Sequence, residues 1–250
     1  MELAEYRRMA EVEDVHWWYR STRALLQQLL AGSLESGGRL LDVGCGTGAT
    51  GGWLAQRGDL VAVDFELQAL TLFDERHASV GLVAADAGHL PLAEGVFDAV
   101  LCVTVLCHRS IVDPGVVVQE LARVVRPGGV LCLWEPGVKR LDRAHDRVTH
   151  TGRRFSRREL AGYMVRAGMT LERSTGAYAF LVPAAAAKTL VERGEVESDL
   201  DHHAGGLRGL LGSLAAAERR LLRYVDLPFG LSVVAVGRKP AARKPPELSA

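Results

Sequence analysis

The chain has no apolar run approaching the ~18 residues that a membrane-crossing helix needs. It has no excess of either charge, with 30 Lys and Arg against 30 Asp and Glu. Nothing in that balance calls for nucleic acid or an anionic membrane as partner. Cysteine is scarce: Cys45, Cys102, Cys107 and Cys132 are the only four, and no two form a C-x-x-C pair. This argues against zinc-ribbon ligation and a disulfide framework, and it fits buried free thiols in a reducing compartment. The opening Met1-Glu2-Leu3-Ala4-Glu5 is acidic and lacks the apolar core of a secretion signal, so a cytoplasmic location is expected. There is no internal repeat. The 250 residues suffice for one large α/β domain or at most two small ones.

What is present alternates. Residues 3–31 read as helical, with an acidic and aromatic first half and a Leu-rich second half. Gly37-Gly38 ends that pattern. Short continuous apolar runs follow at 39–43, 60–63, 81–84, 99–103 and 130–134, as expected for parallel strands buried on both faces. Between them, helices are expected at 48–57, at 68–77, and from Asp113-Pro114 to about Val125, the last with Asp as N-cap and Pro at the first helical position. Pro127-Gly128-Gly129 turns the chain into the fifth strand. Ser156-Arg157-Arg158-Glu159 is a capping box before a helix that ends at Gly168. The adjoining Arg-rich stretch, Arg153-Arg154-Phe155-Ser156-Arg157-Arg158, reads as a solvated helix start. Residues 169–180 read as a sixth strand region and 184–224 as helical, with a break at 195–206. Residues 231–236 give a last strand.

The most informative run is Leu40-Leu41-Asp42-Val43-Gly44-Cys45-Gly46-Thr47-Gly48. A strand ends in alternating glycines, with an acid two residues before the first. Glycine permits backbone conformations and close approaches that a Cβ would block. The carboxylate implies a bound group that is positive or rich in donors. In an open parallel sheet, ligands bind beyond the carboxyl ends of the strands. Asp64 ends the second strand, 22 residues after Asp42, where an acid reaches ribose hydroxyls in nucleotide-binding sheets. Asp86 ends the third strand, where a carboxylate can accept from an exocyclic amine, with the Ala87 backbone beside it. The letters of the glycine run also satisfy a dinucleotide fingerprint, G-x-G-x-x-A. Asp42 argues against a dinucleotide, because a carboxylate beside a pyrophosphate is repelled. Asp64 as a helix cap and Asp86 as a turn residue remain the structural alternatives. Asp98 reads as fixing the start of its strand.

Taken together, Leu41 to Gly48, Val63-Asp64, Ala85-Asp86-Ala87 with Leu90-Pro91, Phe97-Asp98-Ala99-Val100 and Arg126-Pro127-Gly128-Gly129 resemble the motifs of class I S-adenosylmethionine-dependent methyltransferases, in family order over roughly residues 38–135. The resemblance implies a Rossmann-like, doubly wound seven-stranded sheet, mostly parallel with a C-terminal antiparallel strand, and a helical N-terminal cap. It implies S-adenosyl-L-methionine as cofactor, with S-adenosyl-L-homocysteine as product. Asp42 and the glycine loop would face the methionyl part, Asp64 the ribose, and Asp86 and Ala87 the adenine. The expected cofactor set is Asp42, Gly44, Cys45, Gly46, Gly48, Asp64, Phe65, Asp86, Ala87, Cys102 and His108. His16-Trp17-Trp18-Tyr19-x-x-x-Arg23 and Leu227-Pro228-Phe229-Gly230-Leu231-Ser232 are similar to a bacterial subgroup associated with glycan and natural-product genes. The expected division is a cap at 1–36, a methyltransferase domain at 37–240 with a helical insertion at about 183–227, and a disordered tail at 241–250.

Methyl transfer from a sulfonium needs positioning and exclusion of water more than acid–base chemistry. A base is needed only for a poor nucleophile such as a hydroxyl. His108, just past the fourth strand, is the leading candidate, either as base or as cofactor contact. His145 and Asp146, beyond the fifth strand, could orient and deprotonate a hydroxyl. His16, Trp17, Trp18, Glu135 and His150 are the expected substrate and lid residues, with plain core packing the alternative for the aromatic rings. Asp199, Asp201, His202 and His203 lack a metal-ligand spacing and read as a solvated loop, so no metal is expected. The expected activity is methylation of a small-molecule acceptor, with a hydroxyl of a sugar or specialised metabolite favoured over nitrogen or carbon. A nucleotide-dependent oxidoreductase and a non-methylating cofactor-binding protein on the same sheet are the alternatives.

Overall fold

The computed structural model describes residues 7, 10–34, 37–139, 141, 151–191 and 205–241. Every apolar run named above becomes a strand: β1 (Gly38–Val43), β2 (Gly58–Asp64), β3 (Gly81–Ala84), β4 (Phe97–Val103), β5 (Val125–Pro136), β6 (Thr170–Ala177) and β7 (Ser232–Arg238). They form one seven-stranded sheet in the order β3-β2-β1-β4-β5-β7-β6. The first five are mutually parallel where they pair, and β7 runs antiparallel to both β5 and β6. The strand order reverses beside β1, and that switch point opens the crevice between the ends of β1 and β4.

Side chains alternate across the sheet and build two cores. Leu40, Ala62, Leu101 and Trp134 face one side, packed with Leu25, Leu26 and Leu30 of α1 (Trp17–Leu30) and with Leu70 and Phe73 of α2 (Leu67–Arg76). Leu41, Val43, Val63, Val100 and Leu133 face the other side, under α3 (Pro114–Val124) and α4 (Arg157–Arg166). The caps form as the sequence implies. The Asp113 carboxylate accepts from Gly115 N at 2.7 Å, and Ser156 and Glu159 complete the capping box. Asp98 fixes the sheet edge by accepting from Arg39 N at 2.7 Å and from Arg126 Nε at 2.5 Å. Two further helices, α5 (Val182–Val191) and α6 (Gly205–Leu221), precede β7. Of these, α6 packs on α1.

Three expectations are corrected. The helix expected over 48–57 is a run of turns followed by a five-residue 3-10 helix, Gly52–Gln56. Gly48, Gly51 and Gly52 are each unfavourable in a helix by about 1 kcal/mol relative to alanine. The single helix expected over 3–31 is interrupted among its described residues. Val12 O accepts from Val15 N and His16 N, after which His16 turns extended and caps α1 by accepting from Trp18 N at 3.3 Å. The arginines at 153–157 are not merely solvated. Arg153 donates to Ile111 O at 2.5 Å, Arg154 to Gly137 O at 3.1 Å and Arg157 to Leu227 O at 2.9 Å, tying three loops together. Residues 145, 146, 150, 199 and 201–203 lie outside the described residues, as does the tail from 242.

Candidate active site

The glycine run leaves β1 beside the end of β2, where Gly44 N and Cys45 N both donate to Val63 O, at 2.8 and 3.1 Å. Gly44 has φ +71°, and a Cβ there would stand 2.1 Å from Val105 Cγ2. Only glycine fits beneath that methyl. A Cβ on Gly51 would stand 1.9 Å from Asp42 Oδ2, so the returning chain lies directly against the Asp42 carboxylate.

Asp42 is buried, 2% exposed, and its Oδ2 has no hydrogen-bond partner. Burial, reinforced by the neighbouring negative charge of Asp64, pushes its carboxyl up to about 7. Asp64 is better served. Its Oδ2 accepts from Gly46 N at 2.9 Å and its Oδ1 from Glu66 N at 3.0 Å. Burial raises its carboxyl, while those two amides and the His108 charge oppose the rise. The helix-cap alternative and the ligand role are compatible here, because each carboxylate oxygen keeps a second lone pair. Two repelling carboxylates, one of them with an oxygen lacking a partner, match a ligand that brings positive charge and donors. They do not match a pyrophosphate.

The other expected cofactor residues stand on the segments that follow β1, β2 and β3, and within β4. Gly46 and Gly48 complete the turn. Phe65 follows Asp64 and is exposed, available for stacking. Asp86 accepts from Gly88 N at 2.7 Å, holding the Ala87 turn at the end of β3. Cys45 packs in the α1-side core. Cys102 is fully buried in the α3-side core, within β4. All four cysteines are free and buried. Burial pushes Cys132 up to about 12 and raises the other three thiols as well.

His108 sits at the end of a turn that leaves β4. Its N donates to Val105 O at 3.1 Å, its strand-like bridge to Thr151 closes the turn, and its imidazole, when protonated, lowers the Asp64 carboxyl. Glu135, expected among the lid residues, is instead fully buried in β5. Its carboxylate accepts from Val105 N at 3.1 Å, Leu106 N at 2.8 Å and Cys107 N at 3.1 Å. Burial pushes it up to about 8 against the pull of those amides. The aromatic lid candidates pack inward. Trp18 lies 4.1 Å from the Tyr178 ring and Trp17 meets the same ring edge-on at 6.1 Å. Tyr178 is itself buried and its hydroxyl bonds Thr22 Oγ1 at 2.8 Å. His16 caps α1 between Trp17 and Tyr19.

Two residues of this site carry no sequence signal. Glu13 is fully buried, and the Thr47 hydroxyl of the glycine loop donates to its Oε2 at 2.5 Å. Arg76 approaches Glu13 at 3.2 Å and Asp14 at 2.6 Å, and Arg23 joins Asp14 to Ala49 O. The ring of His77 fills the space beside Gly48 and Gly52. Residues 10–16 thus lie against the glycine loop. Among the described residues, no cluster of His, Cys, Asp and Glu could hold a metal, and no helix is long and apolar enough to cross a membrane.

Residues 41–133 match the family described as "Methyltransferase domain". The chain is 39% identical over 120 residues to the demethylmenaquinone methyltransferase of Mycobacterium marinum, covering 48% of each chain. It is 34% identical over 122 residues to methyltransferase GfsG of Streptomyces halstedii, covering 46% of this chain and 42% of that one. The chain therefore spans about half the length of the curated relatives it matches. Among solved structures, it superimposes on a structure described as a complex between the Haloferax volcanii Trm112 methyltransferase activator and a methyltransferase. The TM-score is 0.62, at 19% identity over 97% of both chains. It also superimposes on the [4+2]-cyclase SpnF, with TM-score 0.58 at 23% identity over 87% of this chain and 81% of that one. Over residues 41–133 the chain is similar in sequence to methyltransferase domains, and its sheet is that of the methyltransferase fold.

Proposed function

We propose that this chain transfers the methyl group of S-adenosylmethionine to a small-molecule acceptor. The observation that carries the reading is the buried Asp42 Oδ2, without a partner, under the glycine turn and beside Asp64. The bound cofactor would supply an activated methyl group on a cationic sulfur. Asp42 and the Gly44–Gly48 turn would hold the methionyl end, Asp64 the ribose, and Asp86, Ala87 and Phe65 the adenine. The chain's own task is then to aim the acceptor and keep water out. His108, at the end of β4, is the candidate to take a proton from an acceptor hydroxyl. The neutral overall charge supports a small acceptor rather than nucleic acid, and the four free thiols support a reducing, cytoplasmic setting.

Calorimetric titration with S-adenosylmethionine, S-adenosylhomocysteine and NADH tests the reading. Binding of the first two supports it, and binding of NADH alone overturns it. Transfer of a labelled methyl group to candidate acceptors tests the chemistry. A sugar or specialised-metabolite hydroxyl is the acceptor that His108 favours. The relatives named demethylmenaquinone methyltransferase favour a second one, a menaquinone precursor. Labelled product from one acceptor and not the other decides between them.

A further inference from the structure

The turn that leaves β4 is held in a strained form. Thr104, a β-branched residue, has φ +55°. That conformation persists only where the surroundings enforce it. Its own N–H donates to Trp134 O at 2.7 Å. The next three amides, those of Val105, Leu106 and Cys107, all converge on the Glu135 carboxylate. The two oxygens share the load: Oε1 accepts from Val105 N and Leu106 N, and Oε2 from Cys107 N. A glutamine offers an acceptor at only one of those two positions and a donor at the other.

What this turn carries matters for the site. Val105 Cγ2 occupies the space a Cβ on Gly44 would need, so it forms the roof of the glycine turn. One residue past the three held amides stands His108, whose N donates to Val105 O and whose backbone bridges Thr151. Glu135 itself is fully buried and reaches the site only through this turn.

We propose that Glu135 is a positioning residue: from the core of the sheet it fixes residues 104–108, and through them the roof over Gly44 and the place of His108. The role of the turn in transfer rests on the methyltransferase reading. The hold of Glu135 on the turn does not.

The test is amide hydrogen exchange of the intact protein, read by NMR, for the parent, Glu135→Gln and Glu135→Asp, each then titrated with S-adenosylhomocysteine. Glu135→Gln keeps the size of the side chain and turns an N–H toward donors that need an acceptor. It is expected to speed exchange of the Val105, Leu106 and Cys107 amides by about ten-fold or more, while the Leu133 amide, deep in β5, keeps its rate. The His108 ring resonances shift with it, and affinity for S-adenosylhomocysteine falls about ten-fold. Glu135→Asp keeps the carboxyl group and recovers part of both effects, which separates loss of the contact from failure to fold. Val105→Ala leaves the three amides protected and still weakens cofactor binding. Parental exchange rates at the three amides in Glu135→Gln overturn the proposal. Faster exchange with unmoved His108 resonances and full affinity overturns it too, because Glu135 would then support only the fold. A parent that binds neither S-adenosylmethionine nor S-adenosylhomocysteine refutes the methyltransferase reading instead. Exchange and the His108 resonances, both read without ligand, then still decide on Glu135.

Discussion

Replacing Asp42 by asparagine should stabilise the cofactor-free protein, and should do so more as pH rises. Burial and the Asp64 charge move the Asp42 carboxyl from the ordinary 3.8 to about 7. At about 1.4 kcal/mol per tenfold change in proton affinity, that displacement sets about 4 kcal/mol against the ionised form in the folded state. The sign follows from the direction. The folded group binds its proton more tightly than the unfolded one, so its contribution is most favourable below about pH 4 and is lost as pH rises through about 7. The amide that replaces it has no such titration. The stability difference between Asp42→Asn and the parent should therefore grow by about 2–3 kcal/mol in favour of the variant between about pH 5 and pH 8. Glu135, also raised by burial, titrates alike in both proteins and cancels in the difference. Chemical denaturation of both proteins at the two pH values, without cofactor, reads the number directly. A difference that is flat with pH, or that moves toward the parent, would refute the claim that Asp42 is an uncompensated buried carboxylate.

Two predictions concern Asp64 and His108. Asp64→Ala should weaken binding of S-adenosylhomocysteine by ~1–3 kcal/mol, the scale for hydrogen bonds to a charged group; unchanged affinity by calorimetry would remove Asp64 from the ribose. His108→Ala should lower turnover of the true acceptor far more than it lowers cofactor affinity; an undiminished rate would exclude it as the base.

The centre of the sheet was legible because its strands are buried on both faces, whereas the edge strand β3, expected to be buried likewise, is partly exposed along its whole length. Runs such as Leu60-Val61-Ala62-Val63 can be little else, and those of β1 and β2 end at a glycine and an acid that mark the binding side. The caps at Asp113 and Ser156 were legible for a local reason: a side chain and the amide it serves lie within three residues. The helix after the glycine turn failed on the same local chemistry, because three glycines outweigh the apolar spacing around Trp53 and Leu54. Glu13, His77 and the task of Glu135 were not legible. Glu13 meets Thr47 across 34 residues, and Glu135 meets the β4 turn across about 30. No spacing rule carries such pairs, which exist only once the switch point brings the ends of β1, β4 and β5 together. The Trp17-Trp18 pair was conspicuous for its rarity, yet its rings meet Tyr178, over 150 residues away, and anchor the N-terminal helix to the end of β6.

The acids around the glycine turn are not equivalent, and the difference bears on turnover. Glu13 has Thr47 and Arg76, and Asp64 has two backbone amides, whereas Asp42 Oδ2 has no partner. The local shortage of positive charge is thus concentrated on one oxygen. Methyl transfer converts a cationic donor into a product whose sulfur is neutral, so it removes the charge that would compensate Asp42. With its carboxyl near 7 in the empty site, Asp42 must lose a proton to pair with the donor and need lose none to hold the product. Affinity for S-adenosylmethionine relative to S-adenosylhomocysteine should therefore rise with pH, by up to tenfold per pH unit below about 7, and level off above it. The carboxylate and ammonium that the two ligands share cancel in that ratio. Calorimetry of both ligands across pH 5 to 8 measures it, and Asp42→Asn should flatten the curve. A ratio independent of pH in the parent, or a slope that survives the substitution, would mean that Asp42 does not sense the sulfonium. Discrimination of donor from product would then have to arise at another group.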